Sequence, residues 1–187
     1  MGKISESDLQ KADIIVSTTS AAVSTVIRTG SISRVSHARL YVGSGEVIEA
    51  VGSGVVRVSL TTAMNEDTLT VVYRRRNMSD EIADIVIRFA ERQIGKAYDY
   101  AGVAGAGGTT AGGTVASIIS PLLGIGMSAG AISNMISPDS KFFCSELVVR
   151  AFEEANAPII SRPATLSRPG DITTSHFLQY VGHLRGE

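Results

Sequence analysis

The chain has 187 residues, an apolar fraction of 44% and a formal net charge of −1. This length and composition suffice for one hydrophobic core, so we expect a single domain over residues 1–187. The balanced charge excludes the basic footprint of a nucleic-acid binder. Because the chain has one cysteine, an intrachain disulfide and a metal site of several thiolates are also excluded. We expect no metal and no cofactor.

The N-terminal segment, Met1–Gln10, has polar and charged residues where a secretory signal would have an apolar core. It is therefore not expected to act as a Sec signal peptide. The predicted site of synthesis and first residence is the cytoplasm.

The first part of the chain is predicted to form a small antiparallel sheet. Apolar runs rich in valine and isoleucine, bounded by polar or glycine-containing turns, indicate strands. A mixed apolar spacing between the first two strands indicates a short helix. The strands are expected over residues 12–17, 35–42, 46–51, 55–60 and 69–73, and the helix over residues 21–29.

Residues 43–45, Gly-Ser-Gly, predict a hairpin between the second and third strands, since glycine permits the positive φ of a tight turn. If all three residues form the loop, Val42 faces Glu46 and Arg39 faces Glu49. The interpretation depends on the loop length, because a two-residue turn would move the whole third strand to the opposite register.

In the three-residue register, His37 and Glu49 become diagonal neighbours on one face of the sheet, about 7–8 Å apart at the backbone. A histidine and a carboxylate that orients it can meet at that separation. Arg39 is also expected to pair with Glu49. In the two-residue register, Glu49 lies on the other face and cannot reach the histidine.

The second part of the chain has two helical patterns around an unusual uncharged segment. An apolar stripe at helical spacing predicts a helix over residues 79–94, ended by Gly95. Residues 101–137 form a Gly/Ala-rich insert in which glycines and a proline interrupt the apolar runs, so a membrane span is not expected. A buried insert, a flexible insert and a lid all fit this composition. A second helix is predicted over residues 144–155, and a proline-containing loop with a last short helix over residues 163–181.

Cys144 stands where an apolar run changes into the second helical pattern. A thiol in the first turn of a helix lies near unpaired N–H groups, whose partial positive charge stabilises a thiolate. His37, in a strand-like run, is a candidate base for it. The alternative is that a lone cysteine serves as a small buried apolar residue.

Six segments carry a resemblance to a known family: Ala12-Asp-Ile-Ile-Val, Ser36–Gly43, Val47–Ala50, Ile94–Tyr100, Phe143–Val148 and Arg168–Asp171. In this order they resemble the permuted NlpC/P60 branch of papain-like enzymes, the group of YiiX- and YaeF-type amidases. The resemblance implies an α+β fold, with a small antiparallel sheet packed on the helix that bears the nucleophilic cysteine. It also implies a circular permutation, because the histidine here precedes the cysteine. The uncharged insert is a departure that bears on substrate specificity.

The resemblance implies a cysteine hydrolase that cleaves amide bonds through an acyl-enzyme. Cys144 would be the nucleophile, His37 the base and Glu49 the carboxylate that orients the histidine. The oxyanion would be stabilised by the N–H of Cys144 and by Tyr98, with Ser36 as a candidate substrate contact.

For the substrate, the resemblance favours stem peptides of bacterial peptidoglycan. It extends to antibacterial toxins that specialised secretion machinery delivers to the periplasm of a target cell, with an immunity protein as partner. A thiol-dependent lipid acyl hydrolase or acyltransferase is the alternative, and a non-catalytic binding module is a third. His176 and His183 are predicted to be non-catalytic, and Glu146 to form a structural ion pair.

Overall fold

The computed structural model describes residues 2–19, 35–98 and 141–186. Its strands are β1 (Ile14–Thr19), β2 (His37–Gly43), β3 (Glu46–Val51), β4 (Gly54–Ser59), β5 (Asp67–Arg75), β6 (Ala97–Tyr98), β7 (Lys141–Phe142) and β8 (Leu178–Arg185). Its α-helices are α1 (Leu60–Ala63), α2 (Asp80–Gln93), α3 (Cys144–Glu154) and α4 (Pro169–Thr173). Short 3-10 turns lie at Glu6–Asp8 and Ala164–Leu166.

Six strands form one antiparallel sheet in the order β4-β3-β2-β1-β5-β8. The five strands expected from the sequence all belong to it, with β5 longer at both ends than predicted. The two short strands β6 and β7 pair separately and in parallel. This second pair lies close to the cysteine, because only Phe143 separates the end of β7 from Cys144.

The β2–β3 hairpin keeps the register predicted for a three-residue loop, although only two residues separate the strands. Arg39 faces Glu49 as expected, but the predicted pair of Val42 with Glu46 is wrong, because Gly43 takes that place. A bulge between Tyr41 and Gly43 inserts one residue into β2 and so offsets the shorter turn. Glu49 therefore stays on the face from which it can reach His37.

The two faces of the sheet bury different sets of side chains. Since side chains alternate along a strand, Ala38 and Leu40 of β2 belong to one core, whereas Tyr41 belongs to the other. The first core packs the sheet against α2 and α3. The fully buried side chains of α3 include Leu147, Val148, Ala151 and Phe152, and each large one stabilises the fold by about 1.5–3 kcal/mol. The α+β fold, with the sheet on the cysteine helix, is confirmed.

Both long helices begin and end close to their predicted positions. The Ser79 side chain accepts a hydrogen bond from the N–H of Ile82 and caps α2. In α3 the first residue is Cys144, and the helix ends one residue earlier than expected.

The tail differs from the prediction. A short helix is present, α4, but the segment after it forms β8 at the edge of the sheet rather than loop or helix. Two register shifts between β5 and β8 break the regular alternation of buried residues that would indicate a strand. The predicted helix over residues 21–29 and the insert over residues 101–137 lie outside the described residues.

Candidate active site

Cys144 is the first residue of α3, and the start of this helix is held by a contact with the tail of the chain. Phe143, the residue before α3, is extended, with φ −99° and ψ 165°, and its side chain makes no capping hydrogen bond. The first N–H groups of the helix therefore point toward the cysteine end without an intrahelical partner. Ser145 donates a hydrogen bond from Oγ to the Ser167 carbonyl at 3.1 Å, which ties the helix start to the tail. Cys144 itself is 2% exposed.

His37, the first residue of β2, lies between Cys144 and Glu49. Its Nε2 is 2.6 Å from Glu49 Oε2, and it also forms a hydrogen bond with the Cys144 side chain. Since Nε2 is engaged with the carboxylate, Nδ1 is the nitrogen left to face the sulfur. The structure thus brings together the three residues that the sequence singled out from segments far apart in the chain.

The pKa of His37 is raised from 6.5 to about 9. Burial alone would lower this pKa, but the hydrogen bond and negative charge of Cys144, followed by the hydrogen bond to Glu49, outweigh burial. The imidazolium is therefore the stable form at neutral pH.

The pKa of Cys144 is lowered from its ordinary value. Burial opposes this shift, and the hydrogen bond and positive charge of His37 overcome it. Main-chain groups of Ala38 and Ser145 also form hydrogen bonds with the sulfur. Together with the raised pKa of His37, this favours a thiolate–imidazolium pair, which is the reactive form of a nucleophilic cysteine.

The Glu49 carboxylate accepts hydrogen bonds from two cations through the same oxygen. Arg39 Nε lies 2.7 Å from Glu49 Oε2, so the predicted Arg39–Glu49 pair is confirmed. Burial would raise the pKa of Glu49, but the hydrogen bond and charge of His37, followed by those of Arg39, bring it down to about 2. Glu49 is therefore ionised throughout the neutral range.

Asp67, which the sequence analysis did not single out, holds the other end of Arg39. Its carboxylate accepts hydrogen bonds from Nη1 at 2.5 Å and from Nη2 at 3.1 Å. The hydroxyl groups of Ser17 and Thr70 complete this network. Its members come from β3, β2, β1 and β5, which are adjacent in the sheet, and no local sequence motif indicates such a contact.

The two remaining candidates occupy different positions relative to the site. Tyr98 lies in β6 and pairs by its backbone with Phe142, two residues before Cys144. The Tyr98 side chain lies outside the described part of the chain. Ser36 is 2% exposed, and its Oγ donates to the Ser17 carbonyl at 3.5 Å. This contact gives Ser36 a structural partner next to His37.

Three further residues, for which no catalytic role is predicted, have other partners. Glu146 is buried and forms an ion pair with Arg150 at 2.8 Å, one turn along α3. His183 lies within β8, and its Nδ1 is 3.2 Å from the Tyr180 hydroxyl. The His176 ring packs on Phe177, with centroids 4.1 Å apart.

Residues 2–19, 35–98 and 141–186 contain neither a group of potential metal ligands nor a membrane-spanning helix. No three His, Cys, Asp or Glu residues there are grouped so that they could hold an ion. None of the helices in these ranges is long and apolar enough to cross a membrane.

The chain is similar to a known protein family, to a curated protein and to a solved structure. Residues 8–103 match the model of the permuted papain-like amidase enzymes of the YaeF/YiiX, C92 family. The chain is 29% identical to the probable lipoprotein peptidase YaeF of Escherichia coli strain K12, over 98% of this chain and 73% of that protein. In fold it is similar to YiiX of Escherichia coli O157:H7, described as a metalloprotein. That match has a TM-score of 0.67 and 19% identity, and covers 94% of this chain and 97% of the other.

Proposed function

This chain belongs to the family of permuted papain-like amidases and is a cysteine peptidase or amidase; we propose that Cys144, His37 and Glu49 are its catalytic triad. The observation that carries the proposal is the position of His37. One of its ring nitrogens is 2.6 Å from a buried carboxylate, and the ring also forms a hydrogen bond with the chain's single cysteine.

In the proposed reaction, the Cys144 thiolate attacks the carbonyl carbon of an amide. The oxyanion that forms is stabilised by the N–H of Cys144, and the Tyr98 hydroxyl is a second candidate donor. The His37 imidazolium then gives its proton to the leaving amine as the C–N bond breaks. Water attacks the resulting thioester, His37 takes its proton, and the C–S bond breaks to restore the thiolate.

Glu49 has two functions in this scheme. As hydrogen-bond acceptor from Nε2 it fixes the plane of the ring, so that Nδ1 faces the sulfur. As a buried negative charge it stabilises the imidazolium, in the same way as the carboxylate of a serine-protease triad. Ser36, one residue before the base and immediately before β2, is the proposed substrate contact.

For the substrate we propose the stem peptides of bacterial peptidoglycan. Support comes from the amidase family and from the relative that is named a lipoprotein peptidase. The test is incubation of purified sacculi with the wild-type protein and with Cys144→Ala, followed by mass analysis of the soluble fragments. The expected result is a set of fragments cut at one amide bond by the wild type alone. Identical fragments with both proteins would contradict the proposal.

A thiol-dependent lipid acyl hydrolase or acyltransferase is the alternative outcome of the same test. If sacculi remain intact, lipoproteins and phospholipid micelles are the next substrates, with release of a fatty acid as the measurement. Cysteine-dependent release of fatty acid without cleavage of sacculi would assign the enzyme to lipid chemistry.

The proposal includes an antibacterial role in the periplasm of a target cell, with specialised secretion machinery and an immunity protein as partners. The resemblance to permuted papain-like enzymes is its support. Fusion of the chain to an export signal tests it in a heterologous bacterium. Lysis with the wild type but not with Cys144→Ala is expected, and normal growth with both would contradict this role.

A further inference from the structure

Arg39 links the proposed triad to Asp67 of β5 through the hydrogen bonds that it donates to Glu49 and Asp67. In space, the charges alternate from Cys144 through His37, Glu49 and Arg39 to Asp67. Arg39 is 3% exposed and Asp67 is 4% exposed. A buried arginine with two separate carboxylate partners, reached by different edges of its guanidinium, is a geometry that lysine cannot reproduce.

The charge on His37 is present during only part of the proposed reaction. While the thiolate exists, His37 is protonated and Glu49 has two cationic partners. After His37 has given its proton to the leaving group, the acyl-enzyme contains no thiolate, and the His37 ring is neutral. Among the described residues, Glu49 has hydrogen bonds with His37 and Arg39. When His37 is neutral, Arg39 is therefore the one of these two partners that still carries a positive charge.

Deacylation is the step that needs this second cation. Neutral His37 must take a proton from water, and it needs Glu49 ionised and in place to stabilise the charge that then develops on the ring. A carboxylate as buried as Glu49, whose side chain is 7% exposed, favours its protonated form when it has no cationic partner. Arg39 prevents this.

We propose that Arg39, held by Asp67, is a positioning residue that keeps Glu49 ionised and directed at His37 while the acyl-enzyme waits for water. This inference rests on the proposed triad and deepens it. Arg39 and Asp67 touch neither the substrate nor the reacting atoms in this account; they act through Glu49. The predicted consequence is selective: loss of the pair slows deacylation much more than acylation.

The sheet supplies a matched control pair. Asp13, the residue immediately before β1, accepts two hydrogen bonds of 2.7 Å from Arg74 of β5, and the Asp13 side chain is 0% exposed. Asp13 lies four residues before Ser17, about 13 Å away along an extended chain. Variants of this pair show how far the loss of a buried Arg–Asp contact lowers the melting temperature and the steady-state rate when the contact is not bonded to the proposed triad.

The experiment uses p-nitrophenyl acetate as probe. Its phenolate leaves without a proton, so the burst of p-nitrophenolate reports thiolate attack, while the steady-state rate reports hydrolysis of acetyl-Cys144. Intact-protein mass spectrometry then measures the fraction of acetylated enzyme. The variants are Arg39→Lys and Asp67→Asn, with Arg74→Lys and Asp13→Asn as controls, each checked for its melting temperature.

For Arg39→Lys and Asp67→Asn we expect the steady-state rate to fall ~10-fold or more, as for other partners that orient a functional histidine. We expect their burst rate to stay within about threefold of the wild type, so that acetyl-Cys144 accumulates. In a Glu49→Gln background, Arg39→Lys should cause no further loss, since it acts through Glu49.

Equal slowing of the burst and the steady state, or a steady-state rate equal to that of the Asp13 and Arg74 variants, would overturn the proposal. If neither variant folds, Thr70→Val removes only the hydroxyl that donates to Asp67 at 3.0 Å, and an unchanged steady-state rate there would overturn it. A wild-type protein that releases p-nitrophenolate no faster than Cys144→Ala would instead contradict the proposed function.

Discussion

His37 Nε2 of β2 and Glu49 Oε2 of β3 lie 2.6 Å apart, across the β2–β3 hairpin. A separation this short between an imidazolium and a carboxylate makes a charge-assisted hydrogen bond, which is stronger than a neutral one. Its structural consequence is that rotation of the ring is restricted. The remaining ring nitrogen is therefore presented to Cys144, at the start of α3.

Replacement of Glu49 by glutamine should reduce kcat/KM for amide cleavage ~10²- to 10⁴-fold, the range that general acid–base catalysis contributes. The amide keeps the size of the side chain but removes the charge that stabilises the imidazolium. The matched control is Glu46→Gln in the same strand, where the carboxylate pairs with Arg57 at the surface. Equal kcat/KM values for the two variants would rule out a role of Glu49 in the reaction.

Amide cleavage should show a bell-shaped dependence on pH. The rate needs both the thiolate and the imidazolium, so it rises as pH passes the lowered pKa of Cys144 and falls as pH passes about 9, the pKa of His37. Release of amino groups from sacculi across the pH range measures both limbs. His176→Gln should leave the profile unchanged. A falling limb near the ordinary histidine value of 6.5 would contradict the assignment of His37.

Part of this site follows from local sequence patterns, because His37, Arg39 and Glu49 lie on two consecutive strands, β2 and β3. The apolar stripe and Ser79 locate α2, and the glycine loop at residues 43–45 brings Arg39 opposite Glu49. The register was predicted for a loop of three residues, whereas the structure reaches it with a two-residue turn and a bulge. A bulge has no distinctive sequence signal when the residue inserted is an ordinary one.

The contact between Arg39 and Asp67 could not be predicted in this way. It spans β1, which lies between β2 and β5 in the sheet, and it joins residues 28 positions apart in the chain. Only the strand order brings them together. The same applies to β8, whose pairing with β5 contains two register shifts, so that its sequence lacks the regular alternation of a half-buried strand.

Gly54→Ala should destabilise the protein more than Gly95→Ala, and the comparison separates steric contact from backbone strain. Both glycines have positive φ, +116° and +88°, which costs a non-glycine residue about 1–3 kcal/mol. A Cβ at Gly54 would also lie 2.5 Å from the Lys96 carbonyl oxygen, whereas one at Gly95 would meet nothing within 4 Å. Urea unfolding measures the two free energies, and equal losses would contradict the steric part of this account.

Acid should remove a specific stabilisation that Glu49 provides. The folded pKa of Glu49, about 2, lies below its ordinary value of 4.5, so the unfolded chain binds the proton more tightly. The stabilisation is therefore present above pH 4.5 and is lost as pH falls toward 2. The free energy of unfolding of the wild type should approach that of Glu49→Gln over this window. A difference between them that stays constant with pH would contradict the shift.

The most direct test of the central claim is the titration of Cys144 itself, followed by the ultraviolet absorbance of the thiolate. Because the chain has one cysteine, the signal belongs to Cys144, and Cys144→Ser supplies the baseline. We predict that the wild-type thiolate forms below the ordinary thiol pKa of about 8.5, and that His37→Ala moves its formation to higher pH. A wild-type thiol that titrates at its ordinary pKa, unaffected by loss of His37, would contradict the thiolate–imidazolium pair on which the proposed function depends.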